Sequence, residues 1–186
     1  MRSKLIAGNW KMHKTVAEAI ALTDNIAAGL AQVPAGREVL ICPTFTALGA
    51  VVARPRGAVH VGAQNLYPEV QGAFTGEISP GMLVDIGCTH VIVGHSERRQ
   101  LFGETDAVIA RKTAAALSAG LTPIVCVGET RAERETGRAE AVVLGQIAGA
   151  LSALADQLTK VVVAYEPVWA IGTGLTATSA RSEEHT

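Results

Sequence analysis

The chain contains little that would cross-link it or attract a polyanion. Its three cysteines, Cys42, Cys88 and Cys126, are scattered and include no C-x-x-C pair. This pattern excludes a disulfide framework and favours a reducing, cytoplasmic setting. The 16 basic and 17 acidic residues give a formal net charge of −1, without the basic excess of proteins that bind nucleic acids or anionic membranes. An anionic ligand would therefore have to be bound by a local site.

Long hydrophobic runs are also missing. The apolar run near the N-terminus stops at Asn9, too early for a signal peptide or a membrane span, and we expect it to form the first strand. Because 48% of the residues are hydrophobic and 18% are charged, the composition is that of a globular protein. One domain is the default for 186 residues.

Six short apolar runs recur along the chain, each followed by a segment with helix signals. Such runs are typical of parallel strands covered by helices. They are Lys4 to Trp10, Glu38 to Pro43, Ala58 to Gln64, Thr89 to Gly94, Leu121 to Gly128 and Lys160 to Pro167. Thr15 and Thr130 begin capping-box patterns, and Ser79 precedes a proline, as at helix starts. The pattern predicts six β/α units, arranged as an open doubly wound sheet or as part of a barrel.

Polar residues follow the ends of several predicted strands. They are Asn9, Lys11, Gln64, Asn65, His95, Glu97 and Glu166. A closed barrel would bring these strand ends to one mouth, where barrel enzymes have their catalytic groups, whereas an open sheet would spread them apart. The placement favours a barrel enzyme.

Two of these side chains are candidates for proton transfer. Glu166 ends the apolar run "VVVAY"; an isolated acid there can simply pair with an arginine, but we expect desolvation to raise its pKa toward that of a general base. His95, in "VGHSERR", stands at a predicted helix start. The positive end of a helix disfavours an imidazolium, so we expect a neutral imidazole that donates to a carbonyl oxygen rather than a histidine bound only by backbone.

Lys11 and Asn9 follow the first predicted strand. Lysines are commonly solvated surface residues, but at a barrel mouth Lys11 would offer a compact cation to a phosphate or to a developing enolate. Asn9 would orient Lys11 or donate to the substrate oxygen.

The segment after Glu166 has a stiff start and a glycine-bearing end. It predicts a lid with a hinge at each end, and no Gly-Lys-Ser/Thr follows that would make it a P-loop. The predicted lid consists of Pro167, Val168, Trp169, Ala170, Ile171, Gly172, Thr173 and Gly174.

Together these motifs resemble the triosephosphate isomerase family. The stretches that carry the resemblance are "AGNWKMH" at 7–13, "AQNLYPEVQGAFTGEIS" at 63–79, "VIVGHSERR" at 91–99, "CVGE" at 126–129 and "AYEPVWAIGTGLTAT" at 164–178. The resemblance implies a (β/α)8 TIM barrel, here incomplete at about six units. It also implies an enzyme of glycolysis and gluconeogenesis that interconverts dihydroxyacetone phosphate and D-glyceraldehyde 3-phosphate through an enediolate, without a cofactor or metal ion.

The resemblance also implies roles for individual residues. Glu166 matches the base that moves the proton, His95 the neutral electrophile, and Lys11 the cation that offsets anionic charge. Asn9, Glu97 and Gly172 match substrate-binding positions, Gly172 as a lid N–H donor to the phosphate. A triose phosphate is thus the implied small-molecule partner.

The stretch from residue 65 to 79 resembles the family's loop that docks into a second subunit. Phe74, between Gly72 and Gly76, is an apolar residue at a loop tip that needs a cover, and Thr75 would lie near the partner's site. We expect a homodimer for the complete protein.

The resemblance ends after Thr178, whereas family members continue for two more β/α units that carry phosphate-binding loops. We expect residues 1–180 to form a single incomplete barrel domain and residues 181–186 to be a non-native tail. We also expect the polypeptide as written to be poorly folded and nearly inactive, although its gene encodes a working isomerase.

Two classes of function compete with the isomerase, another phosphate-binding barrel enzyme, such as an aldolase or an epimerase, and a non-catalytic binding protein. A Schiff-base aldolase needs a lysine buried in an apolar strand, and Lys4, Lys11, Lys112 and Lys160 are not expected to provide one. A metal-dependent epimerase needs more clustered ligands. A non-catalytic binding protein would keep the acid, the histidine and the lid, and would show substrate protection on melting without turnover.

Overall fold

The computed structural model describes residues 4–30, 35–54 and 57–171, apart from the side chain of Ala155. All six predicted strands are confirmed in this part of the chain. The strands are β1 Lys4–Asn9, β2 Arg37–Cys42, β3 Val59–Ala63, β4 His90–Val93, β5 Thr122–Val127 and β6 Val162–Tyr165. The helices are α1 Val16–Gly29, α2 Phe45–Val52, α3 Pro80–Asp85, α4 Ser96–Phe102, α5 Asp106–Ser118, α6 Arg131–Glu135 and α7 Ala139–Leu151. Two 3₁₀ segments follow, Ser152–Lys160 and Val168–Ala170.

The strands are ordered β1-β2-β3-β4-β5-β6 in the sheet, the same order as in the chain. β1 pairs in parallel with β2, β2 with β3, and β3 with β4. An open doubly wound sheet has a point where the strand order reverses, and this order has none. The sheet is therefore that of a β/α barrel family, as the polar strand ends predicted.

The helix starts follow the sequence signals. The hydroxyl of Thr15 accepts the N–H of Glu18 while the Glu18 carboxylate accepts the N–H of Thr15, which closes a capping box. Thr130 and Glu133 do the same for α6. These reciprocal bonds satisfy N–H groups that have no partner within the helix.

Contacts between Cα atoms divide the chain into two compact units. Among the described residues, the first unit contains residues 4–93 and 112–124, and the second contains 94–111 and 125–171. Fully buried Leu40, Leu48, Val61 and Leu83 belong to the core of the first unit. Truncation of one such leucine to alanine costs about 2–5 kcal/mol.

Gly62 fixes the spacing of the strands in the first unit. A Cβ at this position would lie 3.1 Å from both the Cys42 Sγ and the His90 carbonyl oxygen, closer than ordinary van der Waals contact. A residue without a side chain therefore lets β2, β3 and β4 pack at normal distance.

Hydropathy gives no sign of a membrane segment in the described ranges. No helix there combines the length and the apolar composition that a bilayer crossing requires.

Candidate active site

Glu166 directly follows β6 in the second unit, and its backbone N–H donates to the Val127 carbonyl at 2.7 Å. Its side chain is 15% exposed. One carboxylate oxygen, Oε1, is 2.8 Å from the His95 Nε2, and Oε2 accepts the backbone N–H of Ser96 at 2.9 Å. Both oxygens of the predicted base thus have donors.

These contacts overturn the expected direction of the Glu166 pKa. Burial acts to raise the pKa, but the hydrogen bond from His95 and the hydrogen bonds from Ser96 outweigh it, so the net pKa lies below its ordinary value. Donors that point at a carboxylate stabilise its charged form. The sequence prediction counted desolvation and missed these donors.

His95 is the N-cap residue of α4, which confirms the predicted helix start. Its Nδ1 accepts the backbone N–H of Glu97 at 3.2 Å, while the Glu97 carboxylate is 3.5 Å from the same atom. A nitrogen that accepts a hydrogen bond carries no proton, so the neutral ring has its hydrogen on Nε2. That hydrogen points at Glu166 Oε1.

Glu129, the acid of the motif "CVGE" in the second unit, had no predicted role. It is fully buried and follows the end of β5 as Glu166 follows β6. Arg134 Nη1 donates to Oε1 at 2.6 Å, the Tyr165 hydroxyl lies 3.0 Å from both oxygens, and Trp169 Nε1 donates at 3.1 Å. Burial raises the pKa of Glu129, but its own backbone N–H and these three donors lower it by more. The net pKa therefore lies below its ordinary value.

The Glu129 network fixes the residues on either side of Glu166. Tyr165 precedes the predicted base and Trp169 lies in the predicted lid, within the 3₁₀ segment Val168–Ala170. The guanidinium of Arg134 also lies 5.0 Å from the centre of the Trp169 ring. The lid prediction for Gly172, Thr173 and Gly174 falls outside the described residues.

The first unit holds the other predicted pair, Asn9 and Lys11. The Lys11 backbone has φ +51°, and its N–H donates to Asn9 Oδ1 at 3.0 Å. Gln64 Nε2 donates to the carbonyl oxygens of Lys11 and Cys42, both at 2.8 Å. The structure thus brings Asn9 and Lys11 together in one unit, and His95, Glu97 and Glu166 together in the other.

Lys112 is buried in the first unit, although lysines usually lie at the surface. Its Nζ donates to Asn65 Oδ1 at 2.7 Å. It lies on α5 rather than on a strand, and its hydrogen bond to an amide oxygen satisfies the buried ammonium in part. The expectation concerned a lysine buried in an apolar strand, as a Schiff-base aldolase needs, so the helical Lys112 does not contradict it.

Metal ligands are not clustered in the ranges that the structure describes. No group of three or more His, Cys, Asp or Glu side chains there is close enough to hold a metal ion.

Comparison with known proteins gives matches along nearly the whole chain. The family model described as triosephosphate isomerase matches residues 4–186. The chain is 58% identical to the triosephosphate isomerase of Chloroflexus aurantiacus, over 98% of this chain and 74% of that protein. It is likewise 58% identical to that of Herpetosiphon aurantiacus, with the same coverage. Identity to that of Roseiflexus sp. is 55%, over 98% of this chain and 72% of that protein.

Proposed function

Because the chain belongs to the triosephosphate isomerase family, we propose that its His95 and Glu166 carry the proton transfers of the reaction. The chain is an aldose–ketose isomerase of glycolysis, which interconverts dihydroxyacetone phosphate and D-glyceraldehyde 3-phosphate. The observation that supports the two roles is the 2.8 Å contact between His95 Nε2 and Glu166 Oε1.

The proposed steps use the protonation states of these two side chains. The Glu166 carboxylate removes a proton from the carbon beside the substrate carbonyl, and the His95 Nε2–H donates to the carbonyl oxygen as negative charge develops there. His95 passes the Nε2 proton to this oxygen and takes one back from the hydroxyl on the neighbouring carbon, and delivery of the carbon-bound proton to the former carbonyl carbon completes the isomerisation. No proton is gained or lost overall.

The substrate must first break the contact between the two side chains, since Nε2–H has one hydrogen to donate. A Glu166 carboxylate that has left His95 and Ser96 loses the donors that lower its pKa, while burial continues to raise it. Substrate binding therefore converts a weakly basic resting carboxylate into a stronger base. The resting carboxylate has its contacts with His95 and Ser96, and the carboxylate that acts as the base has lost them.

We assign the binding of the anionic substrate to the remaining candidates. Lys11 supplies a positive charge, Asn9 holds the Lys11 backbone through the 3.0 Å bond, and Glu97 orients His95 through its backbone N–H. Gly172 is proposed as a lid N–H donor to the phosphate. Closure of the lid would keep water from the enediolate, which loses phosphate when exposed.

We also propose a cytoplasmic homodimer. Phe74 is 38% exposed, and its ring lies 4.4 Å from that of Tyr67, measured between centroids, so the loop from 65 to 79 presents an aromatic surface that a second copy would cover. Thr75 lies beside Phe74 in this loop. Three buried cysteines form no disulfide, Cys42, Cys88 and Cys126, which suits a reducing compartment.

Substitution of Glu166 by glutamine tests the proposed base, because the amide keeps the shape but cannot take up a proton. We expect Glu166→Gln to lower kcat by about 10³-fold with a smaller change in KM. The assay follows isomerisation of glyceraldehyde 3-phosphate, together with solvent-deuterium exchange into dihydroxyacetone phosphate by NMR. Glu140→Gln, at an exposed acid of the same unit, is the control, and unchanged kcat in Glu166→Gln would exclude the assignment.

A further inference from the structure

We propose that Gln64 is a positioning residue for Lys11, which it holds in a strained backbone conformation. The proposal rests on the function proposed above, in which Lys11 offsets the charge of the substrate. Gln64 directly follows β3, and its side chain is half-buried in the first unit, beside the end of β1.

Lys11 has a backbone that needs external support. Its φ of +51° lies in the left-handed region, which residues with a Cβ avoid and which costs about 1 kcal/mol or more. Lysine has no side-chain group that favours this conformation. The conformation therefore persists only if surrounding contacts hold it.

Both backbone polar groups of Lys11 are held by side chains. The N–H is bound by Asn9 Oδ1 at 3.0 Å, and the carbonyl oxygen is bound by Gln64 Nε2 at 2.8 Å. A relaxed Lys11 with negative φ would rotate its peptide groups and lose one or both bonds. The amide side chains of Asn9 and Gln64 thus fix the Lys11 backbone, and with it the direction in which the Lys11 side chain leaves the backbone.

Gln64 connects this peptide to a rigid part of the sheet. Its Nε2 carries two hydrogens, and the second goes to the carbonyl oxygen of Cys42 at 2.8 Å. Cys42 is the fully buried last residue of β2, and the same oxygen also accepts the Trp10 N–H at 3.1 Å. One amide nitrogen therefore ties the strained residue to a buried strand end, a task that requires two N–H groups on one atom.

The test is a double-mutant cycle. Gln64→Met keeps the length of the side chain but donates no hydrogen bond, Lys11→Met removes the charge, and the third variant combines the two. We expect Gln64→Met alone to lower kcat/KM about tenfold, as for the loss of a buried hydrogen bond, but to change it less than twofold when Lys11 is already methionine. Gln100→Met, at an exposed position on α4, is the matched control.

The cycle is measured twice, on kcat/KM and on the dissociation constant of dihydroxyacetone phosphate, so that low turnover does not prevent a decision. Equal effects of Gln64→Met with and without the lysine would show a merely structural role and overturn the proposal. A harmless Lys11→Met would remove the assigned role of Lys11 and, with it, the proposal, whereas the roles of Glu166 and His95 would stand. Urea unfolding confirms that each variant is folded, and Gln64→Asn replaces Gln64→Met if that variant is not.

Discussion

Glu166 and His95 meet through one contact of 2.8 Å, which favours the ionised form of the Glu166 carboxylate. The N–H of Glu97 occupies His95 Nδ1, so the ring hydrogen is on Nε2 and stabilises the carboxylate. Burial alone would make Glu166 a stronger base, but the resting structure keeps its pKa low. The side chain is therefore fully ionised at neutral pH before substrate arrives.

Removal of the His95 ring tests this balance. We expect His95→Leu to raise the pKa of Glu166, because burial then acts with only the Ser96 donors against it. The measurement is a carbon-13 NMR titration of the glutamate carboxyls, with the Glu166 signal identified by its loss in Glu166→Gln. His13→Leu, at an exposed position, should leave the titration unchanged, and an unmoved Glu166 signal in His95→Leu would contradict the balance.

The same shift has a consequence for stability. Since the folded pKa of Glu166 is lowered, its contribution to the free energy of unfolding is present above the unfolded pKa of about 4.3. It is lost as the pH falls through the lower folded value. Acidification should therefore lower the free energy of unfolding through the loss of the ionised Glu166 carboxylate.

The junction of β5 and β6 places Glu166 through close backbone approach. A Cβ on Gly128, just after β5, would clash with the Glu166 carbonyl oxygen. Gln146 on α7 also binds both backbone groups of Gly128, at 2.8 Å to its N–H and 3.2 Å to its carbonyl. The glycine can neither gain a side chain nor move away without breaking these bonds.

Gly128→Ala should therefore displace Glu166. We expect a loss of about 1–3 kcal/mol in the free energy of unfolding, as for overpacking, together with lower kcat. Gly145→Ala is the control, since a Cβ at this position on α7 would face open space among the described residues, apart from its own helix, and alanine favours a helix by up to about 1 kcal/mol. Urea unfolding measures whether Gly128→Ala lowers the free energy of unfolding and Gly145→Ala raises it. Equal stabilities of the two variants would show that the backbone after β5 moves to accept a side chain at little cost.

At the scale of the whole molecule, the proposed homodimer would form through the loop from 65 to 79. If a second copy covers the exposed ring of Phe74, Phe74→Asp should lower the dimer fraction at least tenfold in sedimentation velocity at a fixed protein concentration, since a buried charge without a partner is costly. Leu101→Asp changes a residue that is more exposed, at 75%, on α4, and should leave association unchanged. Equal effects of both variants would contradict a specific interface at this loop.

Much of the molecule followed from local patterns in the sequence. Thr15, Ser79 and Thr130 begin helices as predicted, because capping depends on residues three positions apart. His95 was correctly placed at a helix start. Glu129 was missed although it follows an apolar strand as Glu166 does, because its donors Tyr165 and Trp169 lie more than 30 residues away in the chain.

The sequence by itself determined the six strands, their helix starts and the family, since these depend on periodicity and on contiguous motifs. Only the tertiary structure decided the state of the functional groups: the lowered pKa of Glu166, the burial of Lys112 and the left-handed backbone of Lys11 held by Gln64. The physical reason is distance. Desolvation is suggested by neighbours in the chain, but the donors that oppose it come from other strands and helices, and they meet the functional group only when the chain has folded.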